Sequence, residues 1–370
     1  MTSSRRSLRR SVAWTAPLAT AAVIGVAVAV PMAASAGTPR LDSTTPEALL
    51  AAVRTADVTH LSGQVEETAR VGLPSLPGQD DAASLSWQTL VTGTHTANVA
   101  VDGPQRQRLA LLGTLAESDV VHNGSDVWTY ASSTREVTHV VLPADRPDGT
   151  GTTQSPDPAD PMNATPLGAA QQLLAAITPT TGVSMAENTR VAGQDAYTLV
   201  LSPKQADSTI SRVVIAVDAT RYVPLRVQVF GTGGAPADPA FETGFTSVSY
   251  DRPSAATFDF SVPAGATVTT RDLSKDAGQQ PAGPAAPTVS GTGWTSVVQV
   301  SAGPDALAAL TRGAGGDGSS AELLNRLLTV QPNGGRLLST ALVNVLLTSD
   351  GRVFAGAVQP SVLQRAAATR

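Results

Sequence analysis

Residues 120 to 143 read VVHNGSDVWTYASSTREVTHVVLP, and how this stretch is divided decides the fold. It places two of the four histidines, His122 and His139, beside Asp126, Trp128, Tyr130 and Glu136, a density that first suggests a reaction centre. Asn123-Gly124, however, is a hairpin signal, because two-residue loops between strands need the positive φ that Asn and Gly tolerate. With the loop there, Trp128 and Tyr130 fall two apart on one face of the next strand. Residues 131 to 134, ASST, become the following turn. His122 then sits at the first turn and His139 within the next strand, with no third group in sequence reach to complete a site. The stretch is predicted to be wall.

The same period of two extends backwards. LSGQVEETARVGL, SLSWQTLVTGTHTANVAVDG and RQRLALLG alternate apolar and polar residues between Gly and Pro punctuation, from Leu61 onward. Before them, TTPEALLAAVRTAD offers Thr45 as cap, Pro46 at the first helical position, and Leu49, Ala52, Val53 and Ala56 on one face. Beyond the opening stretch, residues 144 to 164 hold Pro147, Pro156, Pro158 and Pro161 and are predicted as an exposed loop. The helical grammar then repeats in TPLGAAQQLLAAITP, with Thr165 as cap, Leu167, Ala170, Leu174 and Ile177 on one face, and Pro179 as stop. A second β block follows from about 187 to 270, clearest in PLRVQVF and FDFSV, where Phe258, Phe260 and Val262 alternate with polar residues. Helix plus strands thus occurs twice without residue-level repetition, which predicts two halves of one sheet.

Residues 272 to 288, DLSKDAGQQPAGPAAPT, have linker composition. The tail predicts a small α+β element. It has a helix in SAELLNRLLTV capped by Ser320, and two apolar strands around the Ser349-Asp350-Gly351 turn.

The chain has 370 residues, is 42% apolar and only 15% charged, and carries a net charge of −5. It offers no basic surface for nucleic acid. Only two of its 25 basic residues, Lys204 and Lys275, are lysine. It has no cysteine, which excludes disulfides, thiolate nucleophiles and thiolate metal sites. The N-terminus has export-signal grammar. Arg5, Arg6, Arg9 and Arg10 precede an uncharged run from Leu18 to Val30, and Ala34 and Ala36 suit a cleavage site. The run is shorter than the ~20 residues that span a bilayer. Residues 1 to 36 are expected to be a signal peptide or, failing cleavage, an N-terminal anchor.

Catalytic grammar is missing. His60, His95, His122 and His139 share no ligand spacing, and no H-E-x-x-H, G-x-S-x-G, phosphate loop or dinucleotide fingerprint occurs. Glu66 and Glu67 are adjacent, but neighbours in a strand point to opposite faces. They cannot act as an acid and base pair, and a solvated strand edge is the expectation for both. What remains abundant is alternating apolar β surface that two amphipathic helices must cover. Incomplete cover leaves an apolar cavity.

Three stretches together resemble the LolA-type outer-membrane lipoprotein carriers. HNGSDVWTYASSTREVTHV follows their turn glycine, Trp-x-Tyr and Val-Thr strand through Gly124, Trp128, Tyr130, Val137 and Thr138. AYTLVLSPK at 196 to 204 is similar to their strand ending in Thr-Pro-Lys. FDFSVPAGATV is similar to their F-x-F-x-x-P-x-G-x-x-V ending through Phe258, Phe260, Pro263, Gly265 and Val268. The resemblance covers about 45 to 270. It implies a strongly curved antiparallel sheet, a half-open barrel, with helices over an apolar concave face that takes acyl chains. One departure stands out. The carriers hold the lid with a basic residue before proline at a strand end, whereas VDGPQRQR has Gly103 before Pro104, with Arg106 and Arg108 nearby. DGPQRQRLALLG also resembles the RseB-type periplasmic regulators, whose partner is an anti-sigma factor.

The resulting expectation is an α+β protein. It comprises a LolA-like binding domain at 45–271, a linker at 272–288 and a C-terminal α+β extension at 289–370. Its function is expected to be that of an exported, non-enzymatic carrier or chaperone for a lipid or acylated protein, without cofactor or metal. The alternative is an envelope-stress sensor that binds an anti-sigma factor or other membrane partner, and a membrane-anchored donor or acceptor is the further partner expected. The candidate cavity liners are Trp87, Val99, Leu109, Leu111, Trp128, Leu199, Val213, Ile215, Val227 and Phe258 on strands, with Leu49, Val53, Leu174 and Ile177 from the helices. One register slip would invert any strand's list.

Overall fold

The computed structural model describes residues 38–56, 58–73, 92–113, 116–143, 165–175, 179–235, 237–273, 287–301, 326–331 and 335–369. The expected signal segment, the proline-rich loop at 144–164, most of the linker, Trp87 and Ile177 lie outside them. Among the described residues no helix is long and apolar enough to cross a membrane.

Helix α1 (Pro46–Thr55) begins as expected, with the Thr45 hydroxyl accepting from the Ala48 amide at 3.2 Å. Helix α2 (Pro166–Ala175) uses the same cap, Gly168 N to Thr165 Oγ1 at 3.1 Å. Between them run β1 (His60–Arg70), β2 (Thr92–Asp102), β3 (Arg106–Leu112), β4 (Glu117–Asn123), β5 (Asp126–Ala131) and β6 (Glu136–Val141). After α2 come β7 (Thr181–Val191), β8 (Gln194–Pro203), β9 (Ile210–Asp218), β10 (Pro224–Gly231), β11 (Phe241–Ser249) and β12 (Thr267–Asp272).

These form one twelve-stranded sheet in the order β12-β6-β5-β4-β3-β2-β1-β11-β10-β9-β8-β7, a linear order that does not close into a barrel. The two β blocks are therefore halves of one sheet, joined where β1 pairs with both β2 and β11. The sheet is mixed rather than wholly antiparallel, because β12 runs parallel to β6 from Thr267 opposite Glu136 to Asp272 opposite Val141. The connection after β11 carries the chain to the far edge, where β12 enters alongside β6 in the same direction, as a crossover demands.

That connection corrects the reading of FDFSV as a strand. Ala255–Phe258 is a 3-10 turn, and residues 259 to 266 make no ladder. Extended chain shows period two whether or not it pairs, and Pro253 and Pro263 frame the segment without amides to donate. Phe258 is buried and Phe260 partly so, whereas Val262 is exposed.

The opening hairpin is also shifted by one residue. Asn123 pairs with Asp126, so the loop is Gly124-Ser125. Gly124 has φ 66° and Ser125 has none of the positive φ, which is the pattern of a turn with glycine first.

Among the described residues, two apolar clusters pack on the large sheet and a third on the C-terminal one. The first joins Leu61, Val65, Val99, Leu109, Leu111 and Phe245 of the central strands to the β7-β8 and β9-β10 hairpin ends. The second joins Leu199, Val213, Ile215 and Val227 to Leu49, Val53, Ala170 and Leu174 of the two helices.

The C-terminal part forms a six-stranded sheet of β13 (Thr288–Ser290), β14 (Val297–Ser301), β15 (Leu328–Val330), β16 (Arg336–Ser339), β17 (Asn344–Leu347) and β18 (Arg352–Gly356), followed by α3 (Pro360–Ala368). The Ser349-Asp350-Gly351 turn joins β17 to β18 as expected. The last residues of the expected helix SAELLNRLLTV are instead strand, since Leu328, Thr329 and Val330 pair with Leu338, Leu337 and Arg336. This sheet docks on the large one through backbone bonds, Ala341 N to Val71 O at 2.8 Å and Gln359 N to Asp207 O at 2.8 Å. Trp294 Nε1 adds a bond to Thr181 Oγ1 at 2.8 Å.

The seam of the large sheet yields a test. A Cβ on Gly63 would lie 2.2 Å from the Ser247 carbonyl oxygen, beside the irregular register at Gln64 and Val65. Backbone cannot yield as a side-chain tip can, so Gly63→Ala is expected to cost ~1–3 kcal/mol, read as a lowered midpoint in urea unfolding.

Candidate functional site

Directly paired residues of an antiparallel ladder share a face, so register assigns each candidate. Leu109 pairs with Val120 and Val99, and Leu111 with Ala97, which places these apolar residues on one face of the sheet. On the other half, Val227 pairs with Ile215 and Ile215 with Leu199, while Val213 lies two residues from Ile215 along β9. Leu49, Val53 and Leu174 are buried against this second group.

Trp128 and Phe258 lie elsewhere. Trp128 pairs with Val121, and Val121 with Arg108, so Trp128 stands on the face opposite Leu109. There it stacks on His139 with centroids 3.8 Å apart and on Phe260 at 5.2 Å. Phe258 belongs to the same side. Its carbonyl accepts from Asn123 Nδ2 at 3.2 Å, and the neighbouring Thr257 carbonyl accepts from Arg108 Nη1 at 3.1 Å. The two aromatic residues therefore do not share the face of Val99, Leu109 and Leu111, and the crossing segment accounts for both.

The arginines near Gly103 are also committed to that opposite side. Arg108 donates to both oxygens of buried Asp119, Nε at 3.1 Å and Nη2 at 2.6 Å. Arg106 and Arg252 both pair with buried Asp102, which also meets His60 Nδ1 at 2.8 Å. The two carboxylates respond differently. Burial pushes Asp119 up, and one arginine does not reverse it. Burial also acts on Asp102, but Arg252, Arg106 and His60 together hold it below the usual carboxylate range. A polar cleft of about 450 Å³ borders Asp102, Arg106, Asn123 and Gly124 at the turn end of these strands. Neither Arg106 nor Arg108 is placed to hold α1 or α2. The tie between those helices comes from Arg54, whose Nη2 donates to the Leu174 carbonyl at 3.3 Å.

The apolar face has a polar interruption. Glu67 pairs with His95 on β2 and with Thr243 on β11, so the three stand in one row across adjacent strands. This corrects the expectation of a solvated edge for Glu67. β1 is a central strand, and alternation exposes Glu66 on one face while turning Glu67 to the buried one. His95 is 7% exposed and Thr243 1%. Glu67 Oε1, His95 Nδ1 and Thr243 Oγ1 are all solvent-free without a hydrogen-bond partner.

The tautomer of His95 follows from its one bond. Nε2 lies 2.7 Å from the Thr92 carbonyl, which can only accept, so Nε2 carries the proton and Nδ1 of the neutral ring is a bare acceptor. In a nucleophile, base and carboxylate relay the histidine stands between the other two groups. Here Glu67 occupies the middle, so the row does not have the order of that relay.

Burial pushes the Glu67 carboxyl up to about 7 from 4.5. The fold thus favours its protonated form. Stability from this group is complete below about pH 4.5, where the unfolded chain is also protonated, and declines as pH rises to about 7. Glu67→Gln is expected to match the wild type near pH 4.5 and to exceed it at pH 8 by on the order of 2 kcal/mol. Paired urea unfolding curves at the two pH values check this, and an equal offset at both would contradict it.

No family model and no curated protein matches the chain. Solved structures do. MucB of Pseudomonas aeruginosa in its complex with MucA is 14% identical, with 86% of this chain and 96% of that chain covered and a TM-score of 0.41. An uncharacterized conserved protein from Thermus thermophilus is 13% identical, covering 61% of this chain and 98% of that one at a TM-score of 0.34. A LolA superfamily protein from Nitrosomonas europaea is 10% identical, covering 59% and 99% respectively at a TM-score of 0.25. The chain is thus similar both to a member of the LolA superfamily, the family its motifs resemble, and to MucB.

Proposed function

We propose that this protein is an exported, non-enzymatic carrier or chaperone that shelters the acyl part of a lipid or lipidated protein between its sheet and α1 and α2. The observation that carries the reading is that the helices cover an apolar wall on β8, β9 and β10 with a handful of aliphatic side chains. Among the described residues, the two ten-residue helices bring Leu49, Val53, Ala170 and Leu174 to the buried cluster with Leu199, Val213, Ile215 and Val227, and Leu50, Ala169 and Leu173 pack against it partly buried.

Magnitudes make the exchange workable. Burying Leu49, Val53 and Leu174 is worth about 1.5–3 kcal/mol each, and an acyl chain gains ~0.8 kcal/mol per methylene. A chain of about ten methylenes therefore gains as much as the three side chains together, roughly 8 kcal/mol. Cargo and helices are near-equal competitors for one wall, which permits both loading and release. In this reading 45–271 is the binding domain, 289–370 an appended element, and the site of action the cell envelope.

A sensor that binds an anti-sigma factor or another membrane partner is the second reading. It is favoured by Val289 and Val330, exposed by 61% and 68% on β13 and β15, the outermost strands of the C-terminal sheet.

Native mass spectrometry of the mature protein purified from its own envelope, followed by lipid extraction, is expected to show bound lipid. Absence of lipid, together with failure to protect an added acylated peptide, would overturn the carrier reading. Capture of an anti-sigma factor by lipid-free protein would establish the second.

The helix cover can also be tuned. Arg54→Ala removes the bond to the Leu174 carbonyl, worth about 0.5–1.5 kcal/mol, and raises the fraction of open protein. Affinity for an acylated peptide is expected to rise by about two- to tenfold, measured by titration calorimetry.

A further inference from the structure

Register links the polar row to the apolar wall. Thr243, paired with Glu67, pairs on its other side with Val227, Val227 with Ile215, and Ile215 with Leu199. His95, Glu67, Thr243, Val227, Ile215 and Leu199 therefore form one continuous line across six strands. With strands ~4.8 Å apart, the polar half spans about 10 Å and the apolar half another 10 Å beyond it. One end is polar and unpartnered, and the other is apolar and covered by α1 and α2.

Buried polar atoms are nearly always hydrogen-bonded, so three unpartnered atoms on adjacent strands require a reason. Each can accept. In the neutral ring His95 Nδ1 has only a lone pair to offer, Glu67 Oε1 accepts whether the carboxyl is ionised or carries its proton on the other oxygen, and the Thr243 hydroxyl accepts or donates. The missing complement is a group rich in N–H or O–H donors. Filler would not need that complement, since Val at 243 or Leu at 67 would continue the surrounding wall.

We infer that His95, Glu67 and Thr243 are the anchor for a hydrogen-bond-donating head group, an ammonium or a cluster of hydroxyls, of an amphipathic ligand whose chain lies along Val227, Ile215 and Leu199. The inference rests on the carrier reading and adds head-group selection to it. The charged groups nearest the row are few. Glu66, Glu242 and Arg226 lie on the opposite face by register, Val227, level with the row on β10, is apolar, and so is Leu111, which pairs with Ala97 two residues from His95.

Lysophospholipids of one acyl length separate the two ideas, because chain burial cancels between them. Lysophosphatidylethanolamine offers an ammonium, lysophosphatidylglycerol offers hydroxyls, and lysophosphatidylcholine offers no head-group donor. The protein is expected to bind at least one of the first two about tenfold or more tightly than the third, the scale of one or two hydrogen bonds to a charged group. Which of the two is preferred identifies the head group.

In Thr243→Val and Glu67→Gln the preference is expected to shrink several-fold, while thermal stability is kept or raised. A purely structural row would instead lose stability with its preference intact. Equal binding of all three lipids by the wild type overturns the anchor and leaves the carrier reading standing. Binding of none overturns the carrier reading as well. If Glu67→Gln does not fold, Thr243→Val alone decides, since it removes one unpartnered hydroxyl without changing shape.

Discussion

Side chains alternate along a strand, and a central strand has both faces committed. The pairing of β1 with β2 on one side and β11 on the other therefore fixes a face for every residue from His60 to Arg70. The rest follows from that seam. It makes one sheet of two β blocks, puts Leu61 and Val65 in the core, and sends Glu66 outward and Glu67 inward. A slip of one residue would bury Glu66, Gln64 and Thr68 and expose Leu61 and Val65. The irregular register between Gln64 and Val65, where Gly63 admits the Ser247 carbonyl, keeps the two halves in phase.

The seam also imposes a cost. An unmet buried polar group is worth about 1–3 kcal/mol of lost stability, and the row on β2, β1 and β11 holds three such atoms. Set against the roughly 5–15 kcal/mol by which a domain is stable, that is a substantial share. Apolar residues would relieve it locally without altering the ladder. In the head-group reading, the polar groups of His95, Glu67 and Thr243 are satisfied by a ligand rather than by the fold.

Much of the fold was legible because its signals are local. Thr45 and Thr165 cap their helices, Ser349-Asp350-Gly351 turns between strands, and helix plus strands twice became two halves of one sheet. What was not legible depended on pairing over long separations. Phe258, Phe260 and Val262 alternate as a strand would, but whether extended chain finds a ladder is decided by distant partners, and here it crosses a face instead. Trp128 was assigned to its strand from the Trp-x-Tyr spacing, yet its face relative to Leu109 required the register through Val121 and Arg108. Glu67 looked solvated because a strand's position in a sheet is invisible in its own residues. The adjacency of two glutamates in an alternating segment was the available signal, since alternation must turn one of them inward wherever the strand is central.

The two faces of the sheet are covered in physically different ways, and the difference decides which side can open. The crossing segment is fastened by the Arg108 fork, which meets both oxygens of Asp119 and also holds the Thr257 carbonyl. Asn123 holds the Phe258 carbonyl, and Phe260 stacks on Trp128. Lifting that segment would leave Arg108 with a bond unmet, where bonds to charged groups are worth ~1.5–3 kcal/mol each. It would also expose Phe258, which is 1% exposed as it stands. The helices present mainly aliphatic side chains to their wall, and the Arg54 bond runs between them rather than into the sheet. Aliphatic contact is non-directional, so another aliphatic group can replace it at equal area. A directional fork can be replaced only by another donor array of the same shape. The polar, aromatic cover on the Trp128 side is therefore the more firmly fastened of the two, and in the proposed carrier reading the helix-covered side is the one an acyl chain enters.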